Sequence, residues 1–178
     1  MKILKQKIKG VYLVKNPFFE DSRGVFSRQY CKKKLKKFLP KISQVNISKN
    51  FSKGTLRGFH YQIGKSAENK MITLLKGKIY DIVVDLRVRS KTYLKWQFFN
   101  LDEKKINSIL LPKGCANAFL TLKKGTIVSY LTSNSYNAKL ERGIRYNDPK
   151  FNFRWPIKIL KISKKDNSWR NYVLGKNS

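Results

Sequence analysis

Apolar and polar residues alternate with period two through the middle of this chain. Over residues 78–87, Tyr80, Ile82, Val84 and Leu86 fall on one face, which is the spacing of a β-strand. Similar short apolar runs predict strands at 71–75, 96–101, 108–111, 119–122 and 126–132. Lys76-Gly77, Asp102-Glu103, Lys113-Gly114 and Lys124-Gly125 punctuate them, as turns do. Many short strands with regular turn signals predict an all-β sandwich or barrel.

Gln44, Asn46 and Ser48 alternate with Val45 and Ile47. This is a strand with one polar face, turned either to solvent or to a barrel cavity where amides bind a ligand. Residues 31–38 predict a short basic helix with Leu35 and Phe38 on one side, closed by Pro40. Its lysines form a solvated face or a grip on phosphates. A second short helix is expected after Ser163, which with Asp166 gives the S-x-x-D spacing of a capping box. No linker, repeat or low-complexity stretch divides the 178 residues, so 1–178 is read as a single domain.

Composition narrows the chemistry. No run approaches the roughly 18 apolar residues of a membrane span. Charges interrupt the first residues, Met1 to Lys7, too often for a signal peptide. The expected location is the cytoplasm, where Cys31 and Cys115 are ordinary thiols. Lys and Arg number 40 against 10 Asp and Glu, a formal net charge of +30. No nucleic-acid motif accompanies that charge, so it reads as a solvated lysine surface with no specific nucleic-acid partner. Its field attracts anionic ligands such as nucleotide diphosphates.

The chain has one histidine, His60. Most zinc sites draw several imidazoles or thiolates into one shell, so no metal is expected. His60 lies in Leu56-Arg57-Gly58-Phe59-His60-Tyr61-Gln62. Alone, it reads as a hydrogen-bonded histidine on a strand. Gly58 permits a bulge, however, and a bulge turns Arg57 and His60 toward one cavity despite their opposite parity. Asp21-Ser22-Arg23-Gly24 reads as a tight turn in which Arg23 either pairs locally or holds a phosphate.

In order along the chain come Phe19-Glu20-Asp21-Ser22-Arg23-Gly24, Gln44-Val45-Asn46-Ile47-Ser48, the His60 segment and Asn69-Lys70. Tyr80-Asp81-Ile82-Val83-Val84-Asp85-Leu86-Arg87 and Pro112-Lys113-Gly114-Cys115-Ala116-Asn117-Ala118-Phe119 follow. Tyr130, Glu141-Arg142-Gly143-Ile144, Asn147-Asp148-Pro149, Trp155-Pro156 and Ser163-Lys164-Lys165-Asp166 complete the set. With these motifs the chain resembles the dTDP-4-dehydrorhamnose 3,5-epimerase family over nearly its whole length.

The resemblance implies a mainly β cupin jelly-roll barrel with a few short helices, a homodimer and no cofactor. It implies inversion of C3, or of C3 and C5, in a nucleotide-linked 4-keto-6-deoxy sugar, within deoxysugar biosynthesis for surface polysaccharide. His60 is then the base, Asp166 orients it, and Tyr130 is the acid on the other face of the ring. Arg57 and Lys70 match substrate-contacting positions. Arg23, Gln44, Asn46, Glu141 and Lys165 match nucleotide- or sugar-binding positions.

Four positions depart from the family pattern. Asn117 stands where a histidine is usual, Ala118 where glycine is usual, and Arg28 where glutamate is usual. Ile47 often corresponds to histidine. Asn117 keeps a place among the substrate-binding residues, but the nucleotide, the sugar and the number of inverted carbons are left open. Two other readings are a 3,4-ketoisomerase of the same cupin type and a non-catalytic basic binding protein on a cupin scaffold.

Overall fold

The structure is a computed structural model that describes residues 1–173. It contains thirteen short strands and two one-turn helices. One sheet has six strands, in spatial order β1 (Lys2–Lys5), β2 (Tyr12–Lys15), β10 (Asn107–Leu111), β7 (Lys70–Lys76), β12 (Thr126–Thr132) and β5 (Gln44–Asn50). The other has five: β13 (Glu141–Gly143), β6 (Leu56–Gln62), β11 (Cys115–Thr121), β8 (Lys78–Asp85) and β9 (Trp96–Asp102). A separate hairpin joins β3 (Phe18–Asp21) to β4 (Gly24–Ser27). Every named strand pairing is antiparallel. This is the two-sheet jelly-roll design of cupins.

The two sheets pack face to face around an interior built by Ile72, Leu74, Ile109 and Val128 from one and Ile79, Val83, Phe99, Leu101 and Phe119 from the other. Tyr80, Ile82, Val84 and Leu86, the apolar face legible in the sequence, lie on the opposite side of β8. There they meet Phe151, Phe153 and Tyr172 of the C-terminal segment. β8 is therefore buried on both faces. A third cluster joins Val14, Met71, Leu110 and Leu131 to Leu35 and Leu39, and it covers the outside of the six-stranded sheet. Each fully buried Leu, Ile or Phe contributes about 1.5–3 kcal/mol by leaving water.

Two elements differ from the sequence expectation. α1 spans only Lys32–Leu35, with no acidic residue in its first turn. Three successive lysines near one helix end repel one another, and no carboxylate offsets the N-terminal dipole. The strand expected at 119–122 begins at Cys115, because the small and polar residues Ala116, Asn117 and Ala118 are drawn into a ladder between β6 and β8. No helix among the described residues is long and apolar enough to cross a membrane.

Candidate active site

The site begins with an irregularity in β6. Across the β11 ladder His60 pairs with Asn117, but Arg57 pairs with Phe119, so two residues of β6 oppose one of β11. The extra residue lies at Gly58-Phe59, where Gly58 has φ +115°. A Cβ at Gly58 would stand 2.5 Å from the Asn117 carbonyl oxygen and 2.6 Å from Ala118 Cα. Only glycine fits there. After the bulge Phe59 and Tyr61 face the outer cluster, while Arg57 and His60 both line the interior cavity.

α2 (Lys164–Asn167) supplies the partner of His60. Ser163 caps this helix, its hydroxyl accepting from the Asp166 N–H at 3.0 Å. The Asp166 carboxylate accepts from the Gly58 N–H at 3.2 Å and lies 2.6 Å from His60 Nε2. Burial pushes the Asp166 carboxyl up, but the His60 hydrogen bond and charge, the Gly58 N–H and the Ser163 hydroxyl outweigh it. The net effect holds Asp166 below its ordinary value. A carboxylate on Nε2 selects the tautomer with hydrogen on that nitrogen, which leaves Nδ1 of His60 as the free base.

Tyr130 reaches the same space from the opposite sheet. It pairs with Asn46 of β5 and Ile72 of β7. Burial raises its phenol strongly, against the opposing effects of Arg57 and the Ser48 hydroxyl. Tyr130 therefore keeps its proton at neutral pH and is equipped to donate it. A cavity of about 220 Å³ is lined by His60, Tyr130, Lys70, Gln44, Asn46 and Glu141, among others. A second of about 210 Å³ shares His60, Lys70 and Tyr130 and adds Arg57, Ser48 and Asn117. The polar face of β5 is thus cavity wall, and Val45 and Ile47 point outward, 62% and 60% exposed.

At the mouth, Glu141 pairs with Lys165 and accepts from the Tyr136 hydroxyl at 2.7 Å. Burial pushes the Glu141 carboxyl up, but Lys165, Tyr136 and the His60 charge together bring it below its ordinary value. Lys165 also lies over the rings of Tyr136 and Trp169, 5.8 Å from each centroid. Trp169 meets His60 edge-on at 6.4 Å. Gly143 leaves room for it, since a Cβ there would be 2.2 Å from Trp169 Cε2. Tyr136, Trp169 and Glu68 were not evident from the sequence. Tyr136 and Trp169 stand outside the strands, where no periodicity marks them, and Glu68 is tied to the cavity by contacts made only in the fold, 3.4 Å to Lys70 and a 3.2 Å hydrogen bond accepted from Gln62 Nε2.

Arg23 is not brought to this cavity within one chain. It sits in the turn of the β3–β4 hairpin, 88% exposed in its side chain, and pairs with Asp21 at 2.6 Å. Cys31 and Cys115 are unpaired, and burial pushes the Cys115 thiol up to about 12. The described residues contain no group of three or more His, Cys, Asp or Glu side chains placed to hold a metal ion.

A family model described as dTDP-4-dehydrorhamnose 3,5-epimerase matches residues 5–173. The chain is 34% identical over 164 residues to the dTDP-4-dehydrorhamnose 3,5-epimerase of Sinorhizobium fredii, covering 90% of this chain and 84% of that protein. The enzyme of that description from Shigella flexneri is 32% identical over 176 residues, covering 97% of each. A crystal structure of the Bacillus anthracis enzyme with TDP and PPi bound superposes with a TM-score of 0.91 at 33% identity, covering 96% of this chain and 99% of that one.

Proposed function

The chain belongs to the dTDP-4-dehydrorhamnose 3,5-epimerase family, and from that premise we propose that it inverts C3, or C3 and C5, of a nucleotide-linked 4-keto-6-deoxy sugar. The observation that carries the reading is the placement of His60 and Tyr130. One stands on each sheet, both line one cavity, and Asp166 is hydrogen-bonded to His60. The C4 ketone acidifies the hydrogens on C3 and C5. His60 Nδ1 takes one of them, and the electron pair moves onto the ketone oxygen as an enolate. Lys70 places positive charge in the cavity for that oxygen. Tyr130 returns a proton to the same carbon from the opposite face, which inverts it, and the enolate reverts to the ketone. His60 then returns its proton to solvent and Tyr130 regains one, so the cycle closes without a cofactor.

Gln44, Asn46, Arg57, Asn117, Glu141 and Lys165 are proposed to hold the sugar and its nucleotide. The aromatic-cationic mouth formed by Tyr136, Lys165 and Trp169 suits a flat base and an anionic diphosphate. We place the enzyme in the cytoplasm, where the two free thiols Cys31 and Cys115 persist, supplying activated deoxysugar for surface polysaccharide.

The same reading includes a homodimer. Among the described residues the β3–β4 hairpin pairs with no other strand, yet Phe18, Phe19, Val25 and Phe26 are between 49% and 65% exposed. Together with Val45 and Ile47 they form apolar surface that a second copy would cover. Arg23 would then act in the assembly.

The test is incubation in heavy water with a panel of nucleotide-linked 4-keto sugars. Deuterium should enter C3, or C3 and C5, with inversion. Movement of the carbonyl from C4 to C3 instead would establish the ketoisomerase.

A further inference from the structure

Asp81 is a buried acid that the proton-transfer scheme does not use. It lies on the inner face of β8 between Ile79 and Val83, paired across the sheet with Phe119 and Phe99. Its side chain is fully buried, and no ion pair to it occurs among the described residues. Asn117 Nδ2 lies 3.1 Å from Oδ2, while Oδ1 has no hydrogen-bond partner among the described residues. Asn117 itself lines the cavity with His60, Lys70 and Tyr130.

The protonation state and the amide orientation constrain each other. An ionised Asp81 would be a buried anion with a single hydrogen bond, a costly arrangement. Burial, opposed by the Asn117 hydrogen bond and the Lys70 charge, pushes its carboxyl well above the ordinary value. A neutral Asp81 facing Nδ2 is also unsatisfactory. Its O–H would either be buried without an acceptor or meet another donor. A half-turn of the Asn117 amide exchanges N and O with no change of shape. The acid then donates to the amide oxygen, and only an acceptor lone pair is left unmatched.

We infer that Asp81 is a positioning residue: it donates its carboxyl proton to the Asn117 side-chain oxygen and turns the Asn117 NH2 into the cavity, as a donor to the enolate oxygen alongside Lys70. The inference rests on the epimerase reading for its substrate, but the Asp81–Asn117 bond stands on the barrel's own geometry. A neutral donor at Asn117 adds hydrogen bonding without adding charge beside His60, which must itself become positive during the reaction.

The test joins a spectrum to kinetics. Carbon-13 labelling of aspartate carboxyls, with the Asp81 signal assigned by its loss in Asp81→Asn, should show a protonated carboxyl at pH 7. Asp81→Asn keeps a donor for the Asn117 oxygen, so kcat should stay within about threefold of wild type. Asn117→Ala should lower kcat by about 10²-fold, the effect of losing one donor to a developing oxyanion. Asp81→Leu should lower kcat by about tenfold or more with little change in KM, if it folds. An ionised Asp81 signal at pH 7 overturns the inference, as does a kcat for Asp81→Asn that falls as far as that of Asn117→Ala. Failure of wild-type protein to exchange deuterium into any 4-keto sugar would instead remove the epimerase reading and leave the carboxyl spectrum to decide the Asp81–Asn117 bond.

Discussion

Asp166 Oδ1 stands 2.6 Å from His60 Nε2, and its other oxygen accepts from the Gly58 N–H in the strand that carries His60. One carboxylate thus fixes the tautomer of the base and ties α2 to the bulge of β6.

That coupling has a signature in acid. Asp166 is held below its ordinary value of 3.8 in the folded chain. The stability it contributes is complete above that unfolded value and is lost as pH falls through the lower folded one. Asp166→Asn removes this component and leaves the other depressed carboxylates, such as Asp85 and Glu141, in both proteins. As pH falls below about 4, the wild-type denaturation midpoint should therefore fall more steeply than that of Asp166→Asn. Parallel midpoint-versus-pH curves would contradict it.

Gly58 should tolerate no side chain. Alanine there meets the Asn117 carbonyl oxygen and Ala118 Cα, both backbone atoms, at a φ of +115°. Strain at such a position costs roughly 1–3 kcal/mol, and relieving it must shift β6 against β11. We expect Gly58→Ala to lower Tm and to lose activity beyond what the lost stability explains, because His60 moves with the strand. Activity equal to wild type at a temperature where the variant is fully folded would show that the bulge does not position His60.

Assembly is checked by mass. Light scattering should give about twice the 20.9 kDa chain mass. Replacing Phe19 and Phe26 with serine should produce a monomer and reduce turnover, since Arg23 lies on the same hairpin. A monomeric wild-type protein at micromolar concentration rules the dimer out.

Much of this was legible in the sequence where spacing has one physical meaning. β12 runs from Thr126 to Thr132 as its apolar run predicts, and Gly58 between Arg57 and His60 foretold the register shift. The alternation of Gln44, Asn46 and Ser48 with Val45 and Ile47 gave a two-faced strand, but not which face met a cavity. That depends on β12 lying beside it, a contact between residues some 80 positions apart in the chain. β1 to β4 and β13 were invisible because short runs such as Phe18-Phe19-Glu20-Asp21 and Glu141-Arg142-Gly143 are broken by charge or glycine before a period-two apolar face can show. The C-terminal cover of β8 by Phe151, Phe153 and Tyr172 follows no period at all.

The sharpest expectation separates removal of a proton from its return. His60 is the only imidazole in the chain, so His60→Asn should abolish deuterium exchange at the carbons beside the ketone. Tyr130→Phe removes a single hydroxyl from a ring packed near Phe119, with centroids 6.3 Å apart. It should leave abstraction by His60 largely intact while slowing reprotonation from the other face. The expected product is substrate that has exchanged its hydrogen but kept its configuration. Asp166→Asn should fall between these, slowing exchange by about 10²-fold, because the imidazole is present but neither oriented nor stabilised as a cation. Circular dichroism must first show all three variants folded. If His60→Asn turns over a verified substrate at near the wild-type rate, His60 is not the base. If Tyr130→Phe inverts as fast as it exchanges, the acid on the second face is another group.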